Sequence, residues 1–188
     1  MKYSDQKVAG ILFFIAAAQF ILGLMVAEAL YPGYSTSNNY VSDLSVGPSS
    51  LIFNSSIFLL GLLALIGTYF FQRTFHFKTL AIVLAISAGA AMGVGIFTEN
   101  SPPIHYIVSV LVFLFSGFSA ILSHRIMKSP LSFLSLVLGI MIVVTMLLFF
   151  GNITMGLGVG GMERMIVYPS LIWMAGFGVF LMVQPEQS

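Results

Sequence analysis

The sequence predicts an all-α, polytopic integral membrane protein, a bundle of six transmembrane helices joined by short loops. Of its 188 residues 59% are hydrophobic and 7% are charged, whereas soluble domains carry about 25% charged residues. The apolar residues form blocks near the length of about 20 that a bilayer-spanning helix needs, and these blocks extend over the whole chain. Short connections between them favour antiparallel neighbours. We expect one domain, residues 1–188.

The six predicted spans cover about residues 8–30, 51–71, 79–97, 104–122, 131–150 and 164–183. The first span follows a polar start. The polar segment 31–50 comes next and is the longest stretch without an apolar block. Pro48 suits the opening of the second span, because proline is favoured in a first helical turn. The third span is rich in glycine, alanine and serine, which let helix backbones approach closely in lipid, so we expect it at the centre.

The last three spans are separated by equally recognisable connections. A short rigid loop, Glu99 to His105, precedes the fourth span, and a basic segment, residues 123–128, ends it. The fifth span is closed by the glycine-rich loop 151–161, after which we expect the sixth span to begin at Arg164.

The basic residues predict the orientation in a cell membrane. Six of the seven fall on one face of a six-span arrangement, and only Arg164 falls on the other. The six are Lys2, Lys7, Arg73, Lys78, Arg125 and Lys128. Because cytoplasmic flanks collect Lys and Arg, we expect both termini to be cytoplasmic. The loops 31–50, 99–105 and 151–163 then face outward.

This arrangement concentrates ionisable residues at the outer face. Four of the six acids lie there with one histidine and one arginine, namely Glu28, Asp43, Glu99, Glu163, His105 and Arg164. Ionisable groups at membrane depth are costly and suggest a functional site. Adjacent residues on a helix do not face one another, so we expect Arg164 to pair with Asp43 or Glu99 rather than with Glu163.

Candidate roles follow from these residue types. A hydrolytic site would use His105 as general acid or base, Asp43 or Glu99 to orient it, and Ser42 as nucleophile. Candidate ligand-binding residues are Glu99, Glu163, Arg164, Asn54 and Tyr168. No metal site is predicted.

Several motifs resemble a known family. They are Asn39-Tyr40-Val41-Ser42-Asp43-Leu44-Ser45-Val46-Gly47-Pro48, Phe53-Asn54, the proline-rich turn before His105, Gly161-Met162-Glu163-Arg164, Tyr168-Pro169 and Trp173. Over most of its length the chain resembles a prokaryotic family of six-pass membrane proteins known only as domain of unknown function 998. The resemblance implies a six-span bundle and a shared importance of Ser42, Asp43, His105, Glu163 and Arg164, and it implies no activity.

Structural roles compete with functional ones at each candidate. Ser42 and Asp43 are favoured helix caps, and Glu163 suits the dipole at a helix start. His105 taken alone is more often structural than a ligand, and Asn54 suits an interhelical hydrogen bond.

Three function classes therefore stay open. The first, which we favour slightly, is binding or processing of a lipid or other amphiphile, because a shallow polar cluster bordered by apolar helices suits a headgroup with attached chains. The second is a small transporter or a proton- or ion-coupled carrier, although a midplane site, usual in carriers, has little support. The third is a structural or accessory membrane subunit.

Composition and missing motifs narrow the partners and cofactors. A net charge of +1 argues against nucleic acid, and the absence of cysteine excludes thiol chemistry. No span carries the lysine that retinal needs, the outer face offers one histidine where bis-histidine haem needs two, and nucleotide-binding motifs are missing. We predict the lipid bilayer as partner and no cofactor.

Overall fold

Six long helices make up nearly all of the structure, a computed structural model that describes residues 4–185. The helices are α1 (Asp5–Leu30), α2 (Ser50–Phe75), α3 (Lys78–Ile96), α4 (Pro102–Ser123), α5 (Leu131–Phe150) and α6 (Gly158–Val183). Two short 3-10 turns, Ser42–Ser45 and Gly47–Ser49, interrupt the loop before α2. All six helices are long and apolar enough to cross a membrane. The all-α prediction is confirmed, and the protein is a multi-pass membrane protein.

The helices form a closed ring in chain order. Each helix packs on the next, α6 packs back on α1, and α4 also contacts α6 across the ring. Close approach between α1 and α6 depends on Gly10 and Gly178, because a Cβ on either residue would lie 2.6–2.7 Å from the other's carbonyl oxygen. Small residues therefore set the helix spacing here, as is common in membrane bundles.

The ring has two chemically different ends. One, the basic end, holds the described parts of both termini and the connections between α2 and α3 and between α4 and α5. The other, the pocket end, holds the loops 31–49, 97–101 and 151–157. Gln6 joins the termini by donating to the Leu181 carbonyl oxygen at 3.0 Å. Lys2 and Glu186 lie outside the described residues.

The predicted spans differ from the helices mainly at α2 and α6. Helix α2 continues to Phe75, four residues beyond the expected end. Helix α6 begins at Gly158, so part of the predicted glycine-rich loop is helical. The reason is tertiary: the first turn of α6 lies directly under the 31–49 loop, where a Cβ on Gly160 would overlap the Asn39 carbonyl oxygen. Glu163 and Arg164 consequently lie inside α6 and are 5% and 6% exposed.

Candidate functional site

Arg164 holds three parts of the pocket end together. Its Nη2 donates to Glu28 Oε1 at 2.5 Å and to Tyr34 Oη at 2.7 Å. Its Nη1 donates to the Thr36 carbonyl oxygen at 2.9 Å and to the Gly160 carbonyl oxygen at 3.0 Å. We call this group, Arg164 with Glu28, Tyr34 and Thr36, the arginine clamp. It joins α6 to the end of α1 and to the loop between α1 and α2.

Tyr34 acts as both donor and acceptor in the clamp. Its hydroxyl accepts from Arg164 and donates to the Tyr40 carbonyl oxygen at 2.9 Å, and its ring lies under the guanidinium, 5.4 Å from Cζ to centroid. Burial raises the pKa of Tyr34 to about 12. The phenol therefore stays protonated at neutral pH and remains able to donate.

The prediction that Arg164 pairs with Asp43 or Glu99 was wrong. Arg164 pairs with Glu28, and neither Asp43 nor Glu99 contacts it through an ion pair. Asp43 is used within its own loop, where Oδ2 accepts from Asn39 Nδ2 at 2.9 Å and from the Tyr40 N–H at 3.0 Å. Glu28 lies near the end of α1, which packs along α6, so helix packing decides the pairing.

A second polar region lies beside the clamp, between the pocket ends of α4 and α5. We call it the polar pocket; its volume is about 550 Å³, within the range of small-molecule sites. Its polar and ionisable lining residues are Ser42, Glu99, His105, Ser109, Asn152 and Glu163, and its aromatic lining residues are Tyr40, Tyr106, Phe113, Phe149 and Phe150. Four of the predicted catalytic and binding groups, Ser42, Glu99, His105 and Glu163, thus meet in one cavity.

Glu99 is tied to the 3-10 turn before α2. Its Oε1 accepts from Ser42 Oγ at 2.6 Å, and its backbone N–H donates to Ser45 Oγ at 3.2 Å. Burial, opposed by the Ser42 hydrogen bond, raises the pKa of Glu99. The Ser42 hydroxyl is therefore occupied by a carboxylate and makes no hydrogen bond to His105, so the predicted nucleophile–base contact is not formed.

His105 is oriented by backbone rather than by an acid. Its Nδ1 lies 2.7 Å from the Phe97 carbonyl oxygen. A carbonyl oxygen only accepts, so Nδ1 carries the hydrogen and Nε2 is the acceptor in the neutral ring. His105 lies in the first turn of α4, where two prolines suit the helix start.

Glu163 lies where the pocket deepens. Its Oε2 accepts from the Val41 N–H at 2.6 Å, which places the carboxylate at the start of the 3-10 turn that carries Ser42. It reaches this position because α6 starts early enough to bury its second turn. Glu163 makes no ion pair with the neighbouring Arg164, in agreement with their adjacent positions on one helix.

An apolar cavity of about 80 Å³ lies next to the polar pocket, inside the bundle. Ser42, Ser109, Phe113 and Glu163 line both. The other walls of the apolar cavity come from α1, α2, α3, α4 and α6 and include Phe53, Ala88 and Trp173. A polar and an apolar space thus adjoin at these four shared residues.

Two predicted ligand-binding residues lie away from the polar pocket. Asn54 donates to the Ser45 carbonyl oxygen at 2.9 Å and steadies the 3-10 turns. Tyr168 is 42% exposed on the surface of α6 and lines neither cavity.

Other residues of the site were missed by the sequence reasoning. Ser109 lies one helical turn after His105, a spacing that puts both on one face of α4 and could have identified it. Asn152, Phe149 and Phe150 carry no comparable signal, because their position depends on how α5 packs beside α4. Within residues 4–185, no three His, Asp or Glu side chains are arranged to hold a metal ion.

Comparisons with known proteins give a family and no function. Neither the curated proteins nor the solved structures contain a significant match to the chain. The model of the family described as "Protein of unknown function (DUF998)" matches residues 14–180, most of the chain. The resemblance found in the sequence motifs is confirmed: the chain belongs to the DUF998 family.

Proposed function

We propose that the protein binds a lipid or other amphiphile, with the headgroup in the polar pocket and the apolar chain directed into the apolar cavity toward Trp173. The observation that carries the proposal is that the two spaces adjoin, since Ser42, Ser109, Phe113 and Glu163 line both. A ligand with one polar and one apolar end matches such a site, because each end meets surface of its own kind.

The position of the pocket also favours a ligand from the bilayer. Its aromatic wall joins two neighbouring helices, and Tyr106 of α4 contacts Phe150 of α5 edge-on at 5.4 Å. Tyr106 is 57% exposed on the outside of the bundle. The aromatic rim of the pocket therefore reaches the outside of the bundle, where the bilayer would lie.

Binding is better supported than covalent processing. The Ser42 hydroxyl donates to Glu99, and His105 donates to a backbone carbonyl. A general base that activates a hydroxyl must lie within hydrogen-bond reach of it. The arrangement therefore lacks the contact on which the hydrolytic alternative depends.

The single tryptophan provides the test. Trp173 lines the apolar cavity and is 3% exposed; it lies ten residues after Glu163 on α6, about 15 Å along the axis. We expect single-chain amphiphiles of about twelve carbons, brominated near the chain end, to quench its fluorescence saturably in nonionic micelles. Absence of saturable quenching would overturn the proposal.

A matched pair of variants separates cavity binding from quenching by the micelle. Ser109→Phe places a ring between the polar pocket and the apolar cavity, so saturable quenching should disappear. Ser55→Phe adds the same ring on the exposed side of α2, where quenching should be unchanged. Equal quenching in both variants would show that the probe reaches Trp173 from outside and would contradict the proposal.

We further propose that the pocket end faces outward and that both termini are cytoplasmic. The described basic residues other than Arg164 belong to the basic end, as the positive-inside rule requires. Because the chain has no cysteine, a single introduced cysteine is its only reactive thiol, and its labelling shows which side of the membrane it faces. Asn100→Cys should react with an impermeant thiol reagent in intact cells, and Ser129→Cys should react only after permeabilisation; the reverse pattern would overturn the orientation.

A further inference from the structure

We infer that the polar pocket selects amphiphiles whose headgroup carries a hydrogen-bond-donating ammonium group. This inference rests on the proposed function and adds the chemical class of the headgroup. It follows from three properties of the lining: which hydrogen-bonding positions are still free, the sign of the charge, and the aromatic rim.

The ionisable and hydroxyl groups of the pocket offer mainly free acceptors. The Ser42 hydroxyl already donates its hydrogen to Glu99, and Nδ1 of His105 already donates its hydrogen to the Phe97 carbonyl oxygen. What remains are the lone pairs of Ser42 and Nε2 of His105, beside the Glu99 carboxyl, which is also in contact with the Asp43 carboxyl. Glu163 adds a carboxylate that can only accept when ionised. A headgroup that donates several hydrogen bonds matches this set.

The charge of the lining has one sign. Two carboxylates, Glu99 and Glu163, line the polar pocket together with His105, and no lysine or arginine does. Within residues 4–185, Arg164 is the one lysine or arginine at this end, and both its Nη groups are held in the clamp. An anionic headgroup would meet two carboxylates without a cation, whereas an ammonium group would be attracted.

The aromatic rim favours an organic cation over a metal ion. Tyr40, Tyr106, Phe149 and Phe150 line the pocket around these acceptors. Ring faces attract ammonium groups, most strongly where water is excluded. The Ser109 hydroxyl, Asn152 and the two tyrosine hydroxyls can donate to a headgroup oxygen, but they carry no positive charge, so they do not reverse the preference.

The test compares headgroups on one chain. Three probes share the same end-brominated chain and carry a primary ammonium, a hydroxyl or a phosphate; Trp173 quenching gives each affinity at neutral pH. We expect the ammonium probe to bind about tenfold more tightly than the hydroxyl probe, and the phosphate probe to bind most weakly. Equal affinities for ammonium and hydroxyl would overturn the inference while leaving the proposed function intact.

Charge variants assign the preference to the pocket. Glu99→Gln should weaken binding of the ammonium probe about tenfold and binding of the hydroxyl probe much less, because the amide keeps an acceptor oxygen and loses the charge. Saturable quenching by the hydroxyl probe also shows that the variant is folded. Asp5→Asn removes a carboxylate at the basic end and should change neither affinity. An unchanged ammonium affinity in Glu99→Gln, or displacement of the ammonium probe by equimolar calcium chloride, would overturn the inference. If no probe quenches saturably, the proposed function itself fails.

Discussion

The arginine clamp and the polar pocket lie side by side at one end of the bundle, yet they differ in how many of their polar groups are hydrogen-bonded. In the clamp, Arg164 Nε is the one guanidinium nitrogen without a partner among the described residues. Both Nη groups of Arg164 are used, and their partners are a carboxylate, a phenol and backbone carbonyls. In the pocket, Nε2 of His105 has no partner in the described structure, while the Glu99 carboxyl contacts Ser42 and Asp43. Satisfied groups fix a structure, whereas unsatisfied groups facing a cavity are available to a ligand. The comparison separates a structural region from a binding region within one cluster of ionisable residues.

Breaking the clamp should have the largest effect. Arg164→Met leaves Glu28, the Tyr34 hydroxyl and the Thr36 and Gly160 carbonyl oxygens without their partner, and removal of one member of a buried ion pair typically costs about 3–5 kcal/mol. We expect a large fall in melting temperature in detergent. The exposed pair at the basic end, Arg73 with Asp5 at 2.9 Å, is the matched control: Arg73→Met should cost about 0–1 kcal/mol. Similar losses in both variants would refute the structural role of the clamp.

Displacing the loop from α6 should have a smaller effect. In Gly160→Ala the Cβ overlaps the Asn39 carbonyl oxygen, so the loop must shift, at a cost of about 1–3 kcal/mol typical of overpacking. Gly176→Ala lies in the same helix with open space around its Cβ and should be neutral or stabilising by about 0.5–1 kcal/mol. The melting temperatures of the two variants test whether the loss is specific to the contact with the loop. If both variants are destabilised, helix α6 tolerates no side chain at its glycine positions, and the contact with the loop is not the cause.

Removing the pocket histidine should matter still less for stability. The side chain of His105 makes one hydrogen bond, to the Phe97 carbonyl oxygen, and one such bond contributes about 0.5–1.5 kcal/mol. His105→Ala should therefore melt close to wild type while the affinity for the ammonium probe falls. If His105→Ala melts as low as Arg164→Met, the pocket and the clamp form one structural network and the comparison fails.

Replacing Glu99 should have the smallest effect on stability, visible as a change in how the melting temperature depends on pH. Burial raises the pKa of Glu99 in the folded protein above its ordinary value of 4.5, so the folded state holds the proton more tightly than the unfolded state. The stability from this group is full below pH 4.5 and is lost as the pH rises through the raised folded pKa. Melting temperature measured across this range should fall less steeply in Glu99→Gln than in wild type. Parallel curves would show that Glu99 is not the group responsible.

The six-helix fold and the identity of its polar end follow from the sequence because they depend on local properties. Apolar blocks of spanning length, separated by short polar connections, predict a membrane bundle without knowledge of packing. The same pattern places Asp43, Glu99, His105, Glu163 and Arg164 near one end, since the loops that carry them alternate with spans. Five of the six helices begin within three residues of the predicted spans.

The division of that cluster into clamp and pocket was decided by tertiary structure alone. Arg164 finds Glu28 because α6 closes the ring against α1, a contact 136 residues apart in the chain. Ser42 finds Glu99 rather than His105 because the 3-10 turn docks on the loop before α4. Both pairings depend on which side chains face each other across packed elements. Sequence spacing predicts which side chains are neighbours only within one helix. The sequence alone therefore determined which ionisable groups share an end of the bundle, and only packing decided which are satisfied there and which remain free to bind.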